Sequence, residues 1–474
     1  MTATAGWSAL LKREWIPLLV ALVGGVLLHS MNVLMLATVL PSIVADVGGA
    51  AMVSWPTTAF LASSIVAATC TGHLTVRLGA RSAFCAGALV FGIGALICAV
   101  APTMGVVVAG RFVQGFGGGV LSAMAYVLVG RSFPEPVWPR VAALLSGAWS
   151  MAVLVGPMLG GAFATWGNWR GSFYAVTVLA ALLAIVAARA LPPVRAEEAG
   201  AARAIPGGRV ALICLAIATM STASVVVLPS TKAGLFMAAV LLLVTMILLD
   251  RRSKAPLFPS DAFSLGTVTG IAMWFCLLVS ISYSPLSIFI PIFLQSLHGF
   301  DPLAAGYTVA GASMGWTVAS LVVAGRAPRA AGRLLVAGPL AMATGLAGGA
   351  LLMSQPVLVL PAFIALVGVG IGACWGFGVQ RLMGGARRGE AELAASAVAT
   401  VQQSGFALGA AAAGIAATLA GFSRDLSTQD VTGAAFWVPM AFAPVALLAA
   451  VVGGRLALLA RRAGDKKPDA TKGT

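Results

Sequence analysis

Long runs of apolar residues recur along the whole chain, and short polar segments separate them. A helix needs about 20 apolar residues to cross the hydrocarbon core of a bilayer. Each run has roughly that length, so the pattern predicts an all-α polytopic membrane protein. The predicted spans are fourteen: residues 18–40, 55–74, 82–100, 104–129, 141–163, 172–191, 210–227, 233–249, 267–294, 304–323, 334–353, 357–379, 394–420 and 436–460.

Two charged linkers divide these spans into groups of six, two and six. The first linker covers residues 192–209 and the second covers 250–261. We therefore predict four parts in the chain. They are an N-terminal six-helix half (1–191), the linkers with two additional spans (192–262), a C-terminal six-helix half (263–460) and a basic cytoplasmic tail (461–474).

The positive charges fall mostly on one side of the predicted spans. With the N-terminus in the cytoplasm, all of the 29 Lys and Arg residues except Arg111, Arg170, Lys232 and Arg424 lie on the cytoplasmic side. Cytoplasmic loops of membrane proteins carry such an excess. Merging the runs 210–227 and 233–249 into one helix would place every later loop on the opposite side of the membrane. The excess of positive charge on the cytoplasmic side would then be lost. The pattern predicts an even number of spans with both termini in the cytoplasm.

The composition excludes a water-soluble globule. Hydrophobic residues make up 60% of the chain and charged residues 9%, whereas soluble domains carry about 25% charged residues. The mean hydropathy is +0.99. The first apolar run, 17–40, is too long for a signal peptide. The net charge of +15 does not indicate a nucleic-acid partner, because the basic residues form short clusters and no continuous basic face.

No pattern in the chain is typical of an enzyme. None of the 14 acidic residues lies at the centre of a predicted span, and no HExxH motif is present. The chain has three histidines, and its six cysteines lie in apolar runs without the spacing of metal ligands. We read these cysteines as reduced packing residues. We expect no catalytic residue, no cofactor and no metal.

Few polar side chains fall inside the predicted spans. Those that we single out are His29, Asn32, Arg111, Gln114, Gln402 and Gln403. His29 and Asn32 in the first span are three residues apart, and so are Arg111 and Gln114 in the fourth. This spacing places the two side chains of each pair on one face of their helix. A guanidinium in hydrocarbon costs several kcal/mol unless it faces protein or water, so Arg111 must point into the bundle. Hydrogen bonding between helices and a role toward substrate both remain open for these residues.

Three motifs resemble the major facilitator superfamily. Residues 72–81, with Gly72, Arg77, Gly79 and Arg81 in a predicted loop, look like its signature gating loop, although the usual Asp is Val76 here. Arg111, Gln114 and Gly115 resemble its fourth-helix motif. The motif of its antiporters is matched by Gly156, Pro157, Gly160 and Gly161. Its glycines permit close helix approach, and its proline bends the helix. A degenerate second copy of the gating loop occupies 325–333.

The resemblance implies the major-facilitator fold, which consists of two six-helix bundles. The two extra central helices are similar to the fourteen-span drug/proton antiporter branch. In that branch an Asp commonly stands nine residues before a proline of the first helix. Counting back from Pro41 gives Asn32. Two acids that are usual in relatives are therefore neutral here, so carboxylate-based proton coupling is not implied.

We expect a secondary active transporter in the plasma (inner) membrane that exports small apolar or amphipathic compounds by alternating access. Its partners would be a small-molecule substrate, the lipid bilayer and, if it is coupled, the proton. Trp149, Trp274 and Trp375 either line the cavity or pack. His29 is the candidate proton carrier, and Asp46 or no coupling are the alternatives. An uncoupled facilitator, a specific metabolite exporter and a non-transporting membrane sensor remain open as other functions.

Overall fold

A computed structural model describes residues 10, 13–48, 52, 55–191, 207–226, 228–253, 256–300, 302–324, 328–355, 359–421 and 428–465. This part of the chain contains fourteen α-helices and no strand. The helices are α1 Ile16–Val47, α2 Trp55–Leu78, α3 Ala80–Ala99, α4 Met104–Ser132, α5 Trp138–Thr165, α6 Trp169–Ala190, α7 Gly207–Val225, α8 Pro229–Arg251, α9 Val268–His298, α10 Pro302–Val323, α11 Pro328–Leu352, α12 Leu360–Gly384, α13 Ala391–Leu419 and α14 Thr428–Asp465.

The bundle has two faces, because helix ends meet in pairs: Trp15 at the start of α1 contacts Phe133 at the end of α4, whereas Asp46 at the end of α1 pairs with Arg170 at the start of α6. We call the face at which α1 begins the N face and the opposite one the far face. Local sequence sets several helix ends. Asn168 caps α6 by accepting a hydrogen bond from the Gly171 amide at 3.1 Å. Thr267 caps α9 in the same way through Gly270, at 3.2 Å. Such caps satisfy amides that have no partner within the helix.

The segment 72–81 is a correction to the sequence-based expectation, because most of it is helical. α2 continues to Leu78 and α3 begins at Ala80, so Gly79 alone connects them. Nothing before Gly79 breaks the helix. Gly79 has a φ of 78°, a left-handed conformation that is cheap only for glycine. The gating motif is therefore a sharp corner between two helices on the N face.

The six helices α1–α6 pair in the same way as the six helices α9–α14. In the first set α1 packs on α4, α5 and α6, α2 packs on α4, and α3 packs on α4 and α6. In the second set α9 packs on α12, α13 and α14, α10 packs on α12, and α11 packs on α12 and α14. Position for position these are the same pairs, as an internal repeat requires. The residue boundaries of the four predicted parts stay a prediction.

The two sets meet through α2, α4 and α5 on one side and α10, α12 and α13 on the other. The remaining helices, α7 and α8, pack on each other and contact α2 and α13. Large apolar side chains on α3 and α6 face outward; Leu89, Ile93, Val178 and Leu182 are all exposed. In a membrane protein this surface faces the hydrocarbon chains of the lipid.

Eleven helices of the described part are long and apolar enough to span a membrane. α7 and α10 contain only shorter apolar segments, Gly207–Met220 and Tyr307–Val323. α13 is long enough, but its face between the two sets of helices is polar. A helix that lies between other helices need not be apolar all round. The chain is thus a multi-pass helical membrane protein, and the number of fourteen spans stays a prediction.

Candidate functional site

A buried guanidinium held by two side-chain amides lies between α1, α2 and α4. Arg111 is 1% exposed, and its Nη1 donates to Oδ1 of Asn32 and, at 2.7 Å, to Oε1 of Gln114. Its Nε donates to the Pro56 carbonyl at 3.4 Å. The guanidinium carbon lies 4.1 Å from the centre of the Phe60 ring, a favourable cation–π distance. We call these residues the arginine cluster.

The arginine cluster carries a positive charge that no carboxylate balances. Among the described residues Arg111 has no ion pair, and no hydrogen bond reaches its Nη2. Amide oxygens satisfy part of the guanidinium without neutralising it. In the fourteen-span drug/proton antiporter branch that the sequence resembles, an Asp commonly stands where this chain has Asn32. This one difference leaves a net charge of +1 inside the N-terminal set of helices.

His29 lies next to the arginine cluster and is buried. Its ring stacks on Phe60 with centroids 5.3 Å apart and meets Trp149 edge-on at 6.3 Å. Its Nδ1 has no hydrogen-bond partner among the described residues. A Cβ at Gly118 would lie 2.6 Å from that Nδ1. Glycine at this position of α4 therefore provides the space for the imidazole.

Three further glycines let α4 lie against the backbones of its neighbours. A Cβ at Gly115 would collide with the backbone of Phe60, and one at Gly119 with the backbone of Ser64. A Cβ at Gly117 would collide with Phe91 on α3. Small residues at such crossings let membrane helices pack closely. The run of glycines after Gln114 thus holds the arginine cluster in place.

The two sets of helices are joined by hydrogen bonds from their middle to the N face. Ser64 donates to Oε1 of Gln403 at 2.8 Å, and Thr69 donates to Thr400 at 3.3 Å. Ser150 on α5 bonds to Ser313 and Thr317 on α10. These polar contacts are the kind that replaces the hydrophobic effect between helices in lipid.

Four of the six predicted polar residues lie together: His29, Asn32, Arg111 and Gln114. Gln403 lies apart from them, at the contact between α2 and α13. Gln402 is buried but forms no hydrogen bond among the described residues. The Ser and Thr residues of α2, α5 and α10 that join the two sets of helices were not predicted from the sequence. Single Ser and Thr residues bond to their own helix in many spans, so nothing in the sequence distinguishes these from the others.

Aromatic side chains continue from the arginine cluster across the middle of the bundle. Trp149 lies 6.5 Å from Phe406 of α13 between ring centroids, and Phe406 lies 6.1 Å from Tyr283 of α9. The other two candidate tryptophans lie elsewhere. Trp375 is buried against Trp316, and Trp274 donates at 2.9 Å to the carbonyl of Phe263, in the segment before α9.

The glycine motif of α5 packs on α1. A Cβ at Gly156 would lie 2.6 Å from the Met31 carbonyl oxygen. A Cβ at Gly160 would lie 2.8 Å from that of Met35. Pro157 lies inside the helix and cannot donate a backbone hydrogen bond. Gly161 differs from these, because a Cβ there would meet no atom within 4 Å.

An ion pair joins α4 to α13 at the N face. Arg131, in the last turn of α4, forms an ion pair with Glu392 in the first turn of α13. Nearby, Gly72 packs against Leu393 and Ser396. We call the Arg131–Glu392 pair the clasp. It joins the two sets of helices although Val76 replaces the acid of the gating motif.

We expect Glu392→Gln to open the N face more often, because it removes the charge attraction of the clasp. A partly exposed ion pair contributes about 0.2–1 kcal/mol, so the labelling rate of a cysteine placed at Ser396 should rise roughly 1.4- to five-fold. Glu390→Gln is the matched control, since Glu390 accepts a hydrogen bond from Ser260 outside the clasp. Conversely, Val76→Asp restores the acid of the gating motif, so we expect it to slow the labelling of the same cysteine. Equal rates in all variants would show that other contacts hold this face.

At the far face, Asp46 holds α1 to α6. Its carboxylate pairs with Arg170 and accepts a hydrogen bond from the Trp169 indole at 3.2 Å. The hydrogen bond from Arg170, together with that from Trp169, lowers the pKa of Asp46 below its ordinary value. The carboxylate therefore stays ionised at neutral pH, which makes it a poor proton carrier.

Comparison with known proteins shows similarity in sequence to transporters and a shared fold. Residues 22–410 match the family model described as the Major Facilitator Superfamily. A probable multidrug-efflux transporter of Mycobacterium tuberculosis is 35% identical over 426 residues, which cover 87% of this chain and 89% of that protein. The multidrug transporter protein MdtP of Bacillus subtilis is 27% identical over 71% of this chain and 63% of its own length. The crystal structure of the human organic anion transporter MFSD10 superposes with a TM-score of 0.70 at 14% identity, covering 93% of this chain and 100% of that one.

Proposed function

We propose that this chain, which belongs to the Major Facilitator Superfamily, exports small apolar or amphipathic compounds across the plasma membrane with both termini in the cytoplasm. The family model and the efflux relatives support a transporter and no enzymatic role. They also favour transport over a sensor derived from a transporter.

The observation that carries this proposal is the position of the polar and aromatic groups between the two sets of helices. The arginine cluster and Trp149 lie on the N-terminal side, and Phe406 and Tyr283 lie on the other. The hydrogen bonds that join the sets extend from this level to the N face. If the N face is cytoplasmic, the structure has its cytoplasmic side closed. Breaking those contacts while forming others at the far face would expose the same groups to the cytoplasm, which is alternating access.

The charge of the arginine cluster selects the class of substrate. At about 6 Å and an effective dielectric constant of about 20, two like charges repel by about 3 kcal/mol, roughly a factor of 100 in affinity. A permanent cation would meet this repulsion, whereas a neutral or anionic compound would not. The aromatic rings offer flat apolar surfaces for the rest of the molecule.

Flux measurements in reconstituted vesicles test this proposal. We expect a neutral lipophilic dye and an organic anion dye to cross faster than in protein-free vesicles, and ethidium, a permanent cation, at least 10-fold more slowly than either. Faster movement of ethidium would refute the charge argument. If all three compounds moved at the protein-free rate, the transport proposal itself would fail.

His29 is the residue that we propose to carry a coupled proton. The imidazole titrates near neutral pH in water, and its free Nδ1 can accept a proton. Protonation would place a second positive charge against the Phe60 ring that Arg111 already contacts. The proton would therefore enter when the site is hydrated and leave when the site closes. The uncoupled facilitator is the alternative, because none of the described partners of Arg111 is acidic.

We expect His29→Gln to keep downhill flux but to lose the response to a pH gradient. Glutamine retains polar groups and cannot carry a proton at neutral pH. The measurement is uptake of the neutral dye into inverted vesicles with and without an imposed gradient. Gradient-driven accumulation in the wild type that persists in His29→Gln would exclude His29. No response in the wild type would favour the uncoupled facilitator.

A further inference from the structure

A groove with two arginines at one end lies between α11 and α14. Its volume is about 490 Å³. Apolar and small residues line most of it, among them Val336, Leu340, Gly454 and Leu458. Arg333 and Arg461 complete the lining. The motif copy at 325–333 ends at this place, and the transport cycle proposed above gives it no role.

The groove opens toward the lipid. Leu340 is 43% exposed and Leu458 is 58% exposed. Both belong to helices that are long and apolar enough to span a membrane. In a bilayer such surfaces are covered by hydrocarbon chains. From Arg333 to Leu340 the groove follows α11 for about 10 Å, at 1.5 Å per residue. The apolar part is thus deep enough to receive a segment of an acyl chain.

The arginines lie at the N-face end of the groove, close to the ends of the candidate spans Ala330–Leu352 and Val431–Arg462, and the ends of a span lie near the lipid headgroups. α11 begins five residues before Arg333, and α14 ends four residues after Arg461. A Cβ at Gly332 would lie 3.6 Å from Nη2 of Arg461, so this guanidinium lies over the backbone of α11 beside Arg333. Neither arginine has a hydrogen bond or ion pair with a residue whose side chain the structure describes, a set that does not include Asp465, four residues after Arg461. No acidic residue is among the described residues that line the groove.

We propose that this groove binds an anionic phospholipid of the membrane. The two guanidiniums would hold the phosphate, for which arginine offers a fork of donors. The acyl chain would lie along Val336, Leu340 and Leu458. Basic pockets between membrane helices on the cytoplasmic side bind acidic headgroups in this way. The bound lipid would bridge α11 and α14, two outer helices of the C-terminal set. This inference does not depend on the substrate or on the coupling.

The test measures retained lipid on the full chain by native mass spectrometry, after purification in mild detergent and addition of phosphatidylglycerol. We expect one phosphatidylglycerol to be held by the wild type and lost from Arg333→Gln/Arg461→Gln. The matched control is Arg189→Gln/Arg388→Gln, which removes two exposed arginines outside the groove and should retain the lipid. Equal loss in both double variants would show a general charge effect and overturn the proposal.

A second variant tests the apolar part of the groove. A Cβ at Gly454 would lie 3.7 Å from Val336, an ordinary contact, so Gly454→Leu should fold and fill the groove with both arginines intact. We expect it to lose the same lipid. Unchanged lipid binding in Gly454→Leu would refute an acyl chain in the groove.

Two additions exclude other occupants. Phosphatidylcholine, which is neutral overall, and soluble glycerol 3-phosphate should leave the melting temperature unchanged, whereas phosphatidylglycerol should raise it in the wild type and not in Arg333→Gln/Arg461→Gln. An equal rise with glycerol 3-phosphate would show a free-phosphate site instead. A dimer in the wild type that the arginine variant loses would identify a second copy as the occupant.

Discussion

Replacement of Arg111 by Lys or Ala is expected to reduce transport about 10-fold or more, while the protein still inserts into the membrane. Arg111 donates to Asn32, Gln114 and the Pro56 carbonyl at once. Hydrogen bonds to a charged group contribute about 1.5–3 kcal/mol each when they are buried. Lysine keeps the charge but presents a compact ammonium instead of a planar fork, so it cannot hold two amides and a carbonyl in the same positions.

The measurement is initial flux of the neutral dye in vesicles with matched amounts of protein. Arg189→Gln, at the end of α6, is the control for loss of an exposed arginine. Asn32→Asp adds the opposite test, since a carboxylate beside Arg111 would neutralise the arginine cluster. We expect it to raise the flux of ethidium relative to the anionic dye. Full activity in Arg111→Lys would show that the charge alone matters.

The local relations within helices could be predicted from the sequence. Asn32 follows His29 by three residues, and Gln114 follows Arg111 by three, so a shared helix face was expected for each pair. The cost of a guanidinium in lipid predicted that Arg111 points inward. That these two pairs lie together around Phe60 depends on how α1, α2 and α4 cross, and spacing along one helix carries no information about that.

The contacts between the two sets of helices could not be predicted in the same way. Arg131 and Glu392 are 261 residues apart, and each alone looks like an ordinary charge at a helix end. Ser64 and Thr69 are small hydroxyl residues of a kind that many spans contain. Arg333 and Arg461 of the groove between α11 and α14 could not be singled out from the sequence either. Positive charges anywhere on this face fit the positive-inside rule, so the rule does not distinguish these two from the others.

Gly156→Leu is expected to abolish transport, and we expect this to be the largest effect in the chain. Even the Cβ of alanine would lie 2.6 Å from the Met31 carbonyl and 3.1 Å from Leu34, so α5 must move away from α1. Overpacking of this kind costs typically 1–3 kcal/mol, and the displacement would separate Trp149 of α5 from His29 of α1.

Gly161→Leu is the matched control, because it places the same side chain on the same helix where a Cβ meets nothing within 4 Å. Both variants should be compared for expression, melting temperature and flux of the neutral dye. We expect Gly161→Leu to retain flux while Gly156→Leu loses it. Normal flux in a well-expressed Gly156→Leu variant would refute the packing role of Gly156. Loss of flux in both variants at unchanged melting temperature would instead place Gly161 at a helix contact that forms only when the N face opens.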